Sequence, residues 1–108
     1  MGTVSPSAVI IGPPGSGKST VGPLLAERLG VEFVDADAEV EELAGKTISD
    51  IFAEDGEPRF RELEEQVIAD GLTKHTGVYS LGGGAVLSEA TRKRLTDHPV
   101  VFLNVGMA

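Results

Sequence analysis

The sequence predicts an α/β fold in which helices cover both faces of a parallel sheet. Two observations carry that expectation. Short apolar runs alternate with stretches of helical periodicity, the pattern of strands buried in a parallel sheet. The first run, Ala8-Val9-Ile10-Ile11, leads directly into Gly12-Pro13-Pro14-Gly15-Ser16-Gly17-Lys18-Ser19-Thr20. This stretch fits the phosphate-binding pattern G-x-x-x-x-G-K-[ST] at every constrained position. Val21, Leu24, Leu25 and Leu29 then repeat at helical spacing, so the loop has a strand before it and a helix after it.

Composition bounds the rest. A chain of 108 residues, 41% hydrophobic, suits one small globular domain with one core. Nine Lys plus Arg stand against 17 Asp plus Glu, a net charge of −8. That argues against nucleic acid or an anionic membrane as the main partner. Phosphate-bearing small molecules stay open, because a phosphate loop supplies its own positive field. Without cysteine there is no disulfide, thiolate chemistry or cysteine-held metal. No apolar run approaches the roughly 20 residues of a membrane span. No signal-peptide pattern precedes the first strand, so a cytoplasmic setting is expected.

Taken in order, the first strand spans Ala8 to Ile11 and the first helix Lys18 to Leu29, closed by Gly30. Pro23 falls inside that helix, where it cannot donate to the Ser19 carbonyl, and predicts a kink or a loosened first turn. Val31 to Asp35 reads as the second strand. Asp37 reads as the cap of a short helix, Ala38 to Ala44, ended by Gly45. Ser49 reads as the cap of a single turn, Asp50 to Glu54, with Ile51 and Phe52 pointing inward. Pro58 opens the next helix, which runs to Ala69 or beyond with Phe60, Leu63, Val67 and Ile68 as its apolar stripe. Glu62, Glu64 and Glu65 read in part as its solvated side. The third strand is Val78 to Leu81, followed by Gly82-Gly83-Gly84. Ser88 caps a helix to Leu95, and Val100 to Val105 reads as a fourth strand buried on both faces.

Ligands of open parallel sheets bind beyond the carboxyl ends of the strands. Three such ends are visible: the phosphate loop, Asp35-Ala36-Asp37, and the glycine triplet. Gly12, Gly15 and Gly17 let backbone N–H groups turn inward around a phosphate. Lys18 reaches the outer phosphates and the Ser19 hydroxyl is placed for Mg²⁺. Alone, Asp35 and Asp37 would read as a strand end and a helix cap. Beside a phosphate loop they suit metal-assisted phosphoryl transfer, one holding the metal and one accepting a proton from an attacking hydroxyl. Arg61 lies three residues before Glu64 on one helix, which can aim its planar fork at a substrate carboxylate.

The ordered set of phosphate loop, Asp35-Ala36-Asp37, Ile51-Phe52, Phe60-Arg61-Glu62-Leu63-Glu64 and Ser80-Leu81-Gly82-Gly83-Gly84-Ala85 resembles the N-terminal part of the shikimate kinase family. The resemblance covers nearly the whole chain. It implies a three-layer phosphate-loop kinase fold with strand order 2-3-1-4, and phosphorylation of shikimate at its 3-hydroxyl by ATP with Mg²⁺. It implies that Gly12, Gly15, Ser16, Gly17, Lys18, Ser19 and Thr20 hold the nucleotide phosphates, and that Ser19 and Asp35 serve the metal. It implies Asp37 as base and contact to the shikimate hydroxyls, and Arg61 on the carboxylate with Glu64 in support. Gly82, Gly83 and Gly84 would bind shikimate through backbone, with Phe52 and Phe60 lining the pocket.

A gluconate-type kinase shares the loop but fits the Phe60-to-Glu64 stretch and the triple glycine less well. A non-catalytic phosphate-binding remnant is the third reading. Family members continue past the fourth strand with a basic lid, a fifth strand, an adenine loop and a last helix. The chain, a single domain over 1–108, is therefore expected to be C-terminally truncated, lacking the fifth strand, with its fourth strand a bare edge. It is expected to self-associate and to lack measurable turnover by itself, where the longer form would be monomeric.

Overall fold

The computed structural model describes residues 5–13 and 17–103. Its elements are β1 Ala8–Ile11, α1 Lys18–Leu29, β2 Phe33–Asp35, α2 Ala36–Ala44, α3 Ile48–Glu54, α4 Glu57–Lys74 and β3 Val78–Ser80. A 3₁₀ turn Ala85–Leu87, α5 Glu89–Leu95 and β4 Val100–Phe102 follow. The strands form one sheet in the order β2-β3-β1-β4, and every pair is parallel. The expected α/β architecture and strand order are both present.

Strand alternation divides the core in two. Register pairs Phe33 with Val78 and Val34 with Tyr79 across β2 and β3. Ile10, Val78 and Phe33 therefore share the face that packs on α1 through Ala26 and Leu25. Val9, Val34 and Tyr79 share the other face, under Val40 of α2, Ile51 of α3 and Phe60, Leu63, Val67 and Ile68 of α4. Two glycines set the helix-to-sheet distance. A Cβ at Gly22 of α1 would run into the Phe33 ring, and one at Gly71 of α4 would run into the Tyr79 ring and hydroxyl.

α1 runs without a break through Pro23 and closes at Gly30, whose φ of 70° is left-handed and whose N–H donates to Ala26 O and Glu27 O. Ser88 caps α5 as expected, accepting from the Thr91 N–H. Two other caps differ from the sequence reading. Asp35, not Asp37, caps α2: it keeps extended backbone as the last residue of β2, and its carboxylate accepts from the Asp37 N–H. Thr47, not Ser49, caps α3, accepting from the Asp50 N–H. α4 begins one residue before Pro58, at Glu57, and extends to Lys74.

Ile51 is buried, but Phe52 is 40% exposed rather than inward-pointing. Neighbours on a helix sit about 100° apart, and α3 has one face against the core. β4 also differs. Among the described residues it pairs with β1 and is the bare edge expected, but Val100, Val101 and Phe102 are 37–61% exposed instead of buried on both faces. Residues 104 and 105 of the expected strand lie outside the described residues.

Candidate active site

The carboxyl ends of β1, β2 and β3 deliver the candidate residues to one side of the sheet. At β1, Gly17 adopts φ 94°, a left-handed conformation that favours glycine, and its carbonyl accepts from the Thr20 and Val21 N–H groups as α1 starts. α1 carries no side-chain cap and no acidic residue in its first turn. Its positive end is thereby left for an anion. Lys18 Nζ donates to Gly12 O at 2.6 Å and Pro13 O at 3.1 Å, so its ammonium lies over the loop backbone. The Thr20 side chain is exposed. Gly15 and Ser16, and the side chain of Ser19, lie outside the described residues.

Asp35 ends β2 on the face shared with Phe33 and α1, because i and i+2 in a strand point the same way. That alternation turns it toward the helix the phosphate loop opens. Among the described residues no group of three or more His, Asp or Glu could hold a metal by itself. Mg²⁺ is ordinarily held by one or two carboxylates together with phosphate oxygens and waters. Asp35 beside a phosphate loop fits that requirement.

Asp37 follows one residue into α2, half-buried. Burial first, then the Asp35 and Glu64 carboxylates, push its carboxyl up to about 6, against an opposing pull from Lys18. Across from it, Arg61 Nη1 donates to Glu64 Oε1 at 2.9 Å, the pairing its i,i+3 spacing predicts. Glu64 is only 3% exposed, so it does not belong to a solvated face. Burial raises its carboxyl while the Arg61 hydrogen bond and charge lower it, with a net rise. Glu57 Oε2 accepts from Arg61 Nε and Nη2 at 3.3 Å. The guanidinium carbon sits 5.1 Å above the Phe60 ring, and the Phe52 ring stacks 5.0 Å from Phe60. The Arg61 fork is thus fixed by two carboxylates and an aromatic floor.

The glycine triplet closes the site from β3. A Cβ at Gly84 would lie 2.6 Å from Arg61 Nη1 and Nη2, and one at Gly82 would lie 2.6 Å from Asp37 Oδ1. The triplet therefore lets backbone approach both the cation and the acid. Gly82 and Gly83 also meet Gly12, Pro13, Ile11, Val86 and Phe102 around a cavity of about 290 Å³. The loops after β1 and β3 share that space.

Sequence reasoning missed one polar cluster that holds α2 in place. Glu39 accepts from the Tyr79 hydroxyl at 2.6 Å and meets His75 Nε2 at 2.7 Å. Burial, then Glu39, push the Tyr79 phenol up, keeping it a donor. A lone Tyr in an apolar strand, with its hydroxyl in need of a partner, is the signal that could have found it.

Sheet order, the strand–loop–helix phosphate site and the acidic pair at the end of β2 define the phosphate-loop kinase fold. The model of one family, shikimate kinase, matches residues 14–108. The shikimate kinase of Saccharopolyspora erythraea is 61% identical over 105 residues, which is 97% of this chain and 60% of that protein. That of Thermobifida fusca is 60% identical over 103 residues, covering 95% of this chain and 60% of the relative. Shikimate kinase from Acinetobacter baumannii, solved in complex with shikimate, superposes with a TM-score of 0.88 at 39% identity, over 95% of this chain and 57% of that one. The chain belongs to the shikimate kinase family. It spans about three fifths of the length of the relatives it matches. No helix among the described residues is long and apolar enough to cross a membrane.

Proposed function

We propose that this chain carries the phosphate-binding and acceptor-binding part of a shikimate kinase, which moves the γ-phosphoryl group of ATP onto the 3-hydroxyl of shikimate. The observation that carries the reading is the Arg61–Glu64 pair under Gly84, set beside Asp37 under Gly82. One group is a rigid bidentate donor for a carboxylate, and the other an acid suited to a sugar-like hydroxyl. Family membership and the shikimate complex of the Acinetobacter relative support the same substrate. They favour it over gluconate.

In this reading the Arg61 fork binds the shikimate carboxylate and the Gly82 to Gly84 backbone bounds the ring, with Phe60 and Phe52 behind. The Lys18 ammonium and the N–H groups of Gly12, Gly15, Ser16, Gly17, Lys18, Ser19 and Thr20 hold the ATP phosphates. Asp37 accepts the proton of the attacking hydroxyl as the new O–P bond forms and the bond to ADP breaks. A carboxyl at about 6 is a better base than an ordinary one and still largely ionised at neutral pH. Asp35 and Ser19 would hold Mg²⁺, which when bound neutralises charge on the transferred group. The longer form works in the cytoplasm as a monomer on a small molecule, whereas this chain by itself self-associates through the bare edge of β4.

A coupled assay with ATP, Mg²⁺ and shikimate tests the reading, run beside a panel of other hydroxyl acceptors that includes gluconate. Turnover specific to shikimate supports it. Shikimate or phosphate binding without turnover would assign this chain the binding role alone, and turnover of gluconate would overturn the substrate.

A further inference from the structure

The Arg61 guanidinium has two edges that present a pair of donors, and each has a neighbour. A Cβ at Gly84 would lie 2.6 Å from both Nη1 and Nη2 but 2.9 Å from Cζ. The two nitrogens are nearer than the carbon between them, so the Gly84 backbone closes the Nη1–Nη2 edge. The other edge, Nε with Nη2, carries Glu57, whose Oε2 accepts from both nitrogens at 3.3 Å. Glu64 takes Nη1 at 2.9 Å. The two acids hold the cation differently. The Glu64 side chain is 4% exposed and its bond is short, whereas that of Glu57 is 58% exposed and its bonds are long. Glu57 also stands in the first turn of α4, where the positive end of the helix favours its charge with or without Arg61.

We propose that Glu57 holds, in the free protein, the seat of the substrate carboxylate on Arg61, and that binding exchanges one carboxylate for the other. This rests on the reading of Arg61 as the carboxylate site. A ligand carboxylate can meet Nε and Nη2 with two parallel bonds of about 2.7–2.9 Å, which one shared oxygen at 3.3 Å does not match. Charge points the same way. Glu57 and Glu64 already outweigh the single charge of Arg61, so a third carboxylate is repelled unless Glu57 swings out to solvent. Glu57 is then a specificity-determining residue. It keeps the fork in place while the site is empty, and it yields to a ligand that grips Arg61 with two oxygens.

Calorimetric titration of the chain tests this with two ligands, shikimate and cyclohex-1-ene-1-carboxylate, which keeps the ring and carboxylate but no hydroxyl. Glu57→Gln keeps the shape and loses the charge, and should tighten both about two- to fivefold, the range of one exposed ion pair. A residue that merely braces the fork would give the opposite sign. Glu62→Gln removes the same charge from the same helix, where it pairs with Arg59, and should leave both ligands within about 1.5-fold of the parent. Equal or weaker binding in Glu57→Gln overturns the exchange and leaves the shikimate reading intact. Equal tightening in Glu62→Gln does the same, since it marks a general effect of charge. If shikimate binds neither protein while the simpler carboxylate still binds tighter to Glu57→Gln, the seat stands and the shikimate reading falls. If neither ligand binds either protein, both fall.

Discussion

Replacing Asp37 by Asn should make the protein more stable at neutral pH. The carboxyl is raised from an ordinary 3.8 to about 6 because folding takes it partly out of water and sets it beside Asp35 and Glu64. Such a difference corresponds to about 3 kcal/mol, and screening by solvent at this half-buried group trims it to about 1–2 kcal/mol. The dipole of α2 favours a negative charge in the first turn by about 0.5 kcal/mol, which is too little to reverse the sign. An acid with a folded value above its unfolded one is held best when protonated. The burden is absent below about pH 4, grows between 4 and 6, and is complete above 6. Asn is neutral throughout and nearly isosteric, and its amide can donate to Glu64. Thermal melts with a chelator present should therefore show Asp37→Asn about 4–16 °C above the parent at pH 7, with the two converging near pH 4. A variant that melts at or below the parent at pH 7, or a gain that persists unchanged at pH 4, would refute the argument.

The same Asp37→Asn change should lower phosphoryl transfer by about 10²–10⁴-fold in an active form, with nucleotide binding nearly intact; activity within about threefold of the parent would remove Asp37 from the chemistry. Arg61→Lys should weaken shikimate far more than ATP in calorimetric titrations, because lysine keeps the charge but not the fork gripped by Glu64 and Glu57. Equal losses for both ligands would end the carboxylate role. Sulfate should bind at the start of α1, seen as amide shifts confined to Gly12, Gly17 and Lys18 and their neighbours; shifts elsewhere would contradict the anion site. Val101→Lys should suppress self-association in sedimentation velocity, since β4 offers an apolar, uncharged edge. A parent that sediments as a monomer would show that the edge is harmless.

The phosphate loop was legible because its residues act locally: Gly17, Lys18 and the start of α1 need only their neighbours. The Arg61–Glu64 pair was legible for the same reason, being one helical turn apart. Caps were misread where two good capping residues stand close together. Asp35 wins over Asp37 because pairing with β3 keeps Asp35 extended, a tertiary fact. Thr47 wins over Ser49 by where α3 begins, which neither side chain announces. Glu64 looked solvated among Glu62 and Glu65. Its burial comes from α2 and the glycine triplet, both distant in the chain. The apolar run of β4 promised burial on both faces, and its place at a bare edge was expected, but a run of valines cannot say whether helices lie over those faces.

Gly22 and Gly71 accept one aromatic ring each, Phe33 on one face of the sheet and Tyr79 on the other. The two rings act as spacers of fixed thickness, so each helix and its ring form a matched pair in the manner of a key and its ward. A larger residue at 22 requires a smaller one at 33, and likewise for 71 and 79. Because Phe33 lies two residues from Asp35, and α1 begins at Lys18, the first pair also gauges the separation between Asp35 and Lys18. Lineages that vary these positions should vary them together, and a single exchange in one partner should be rescued by its counterpart.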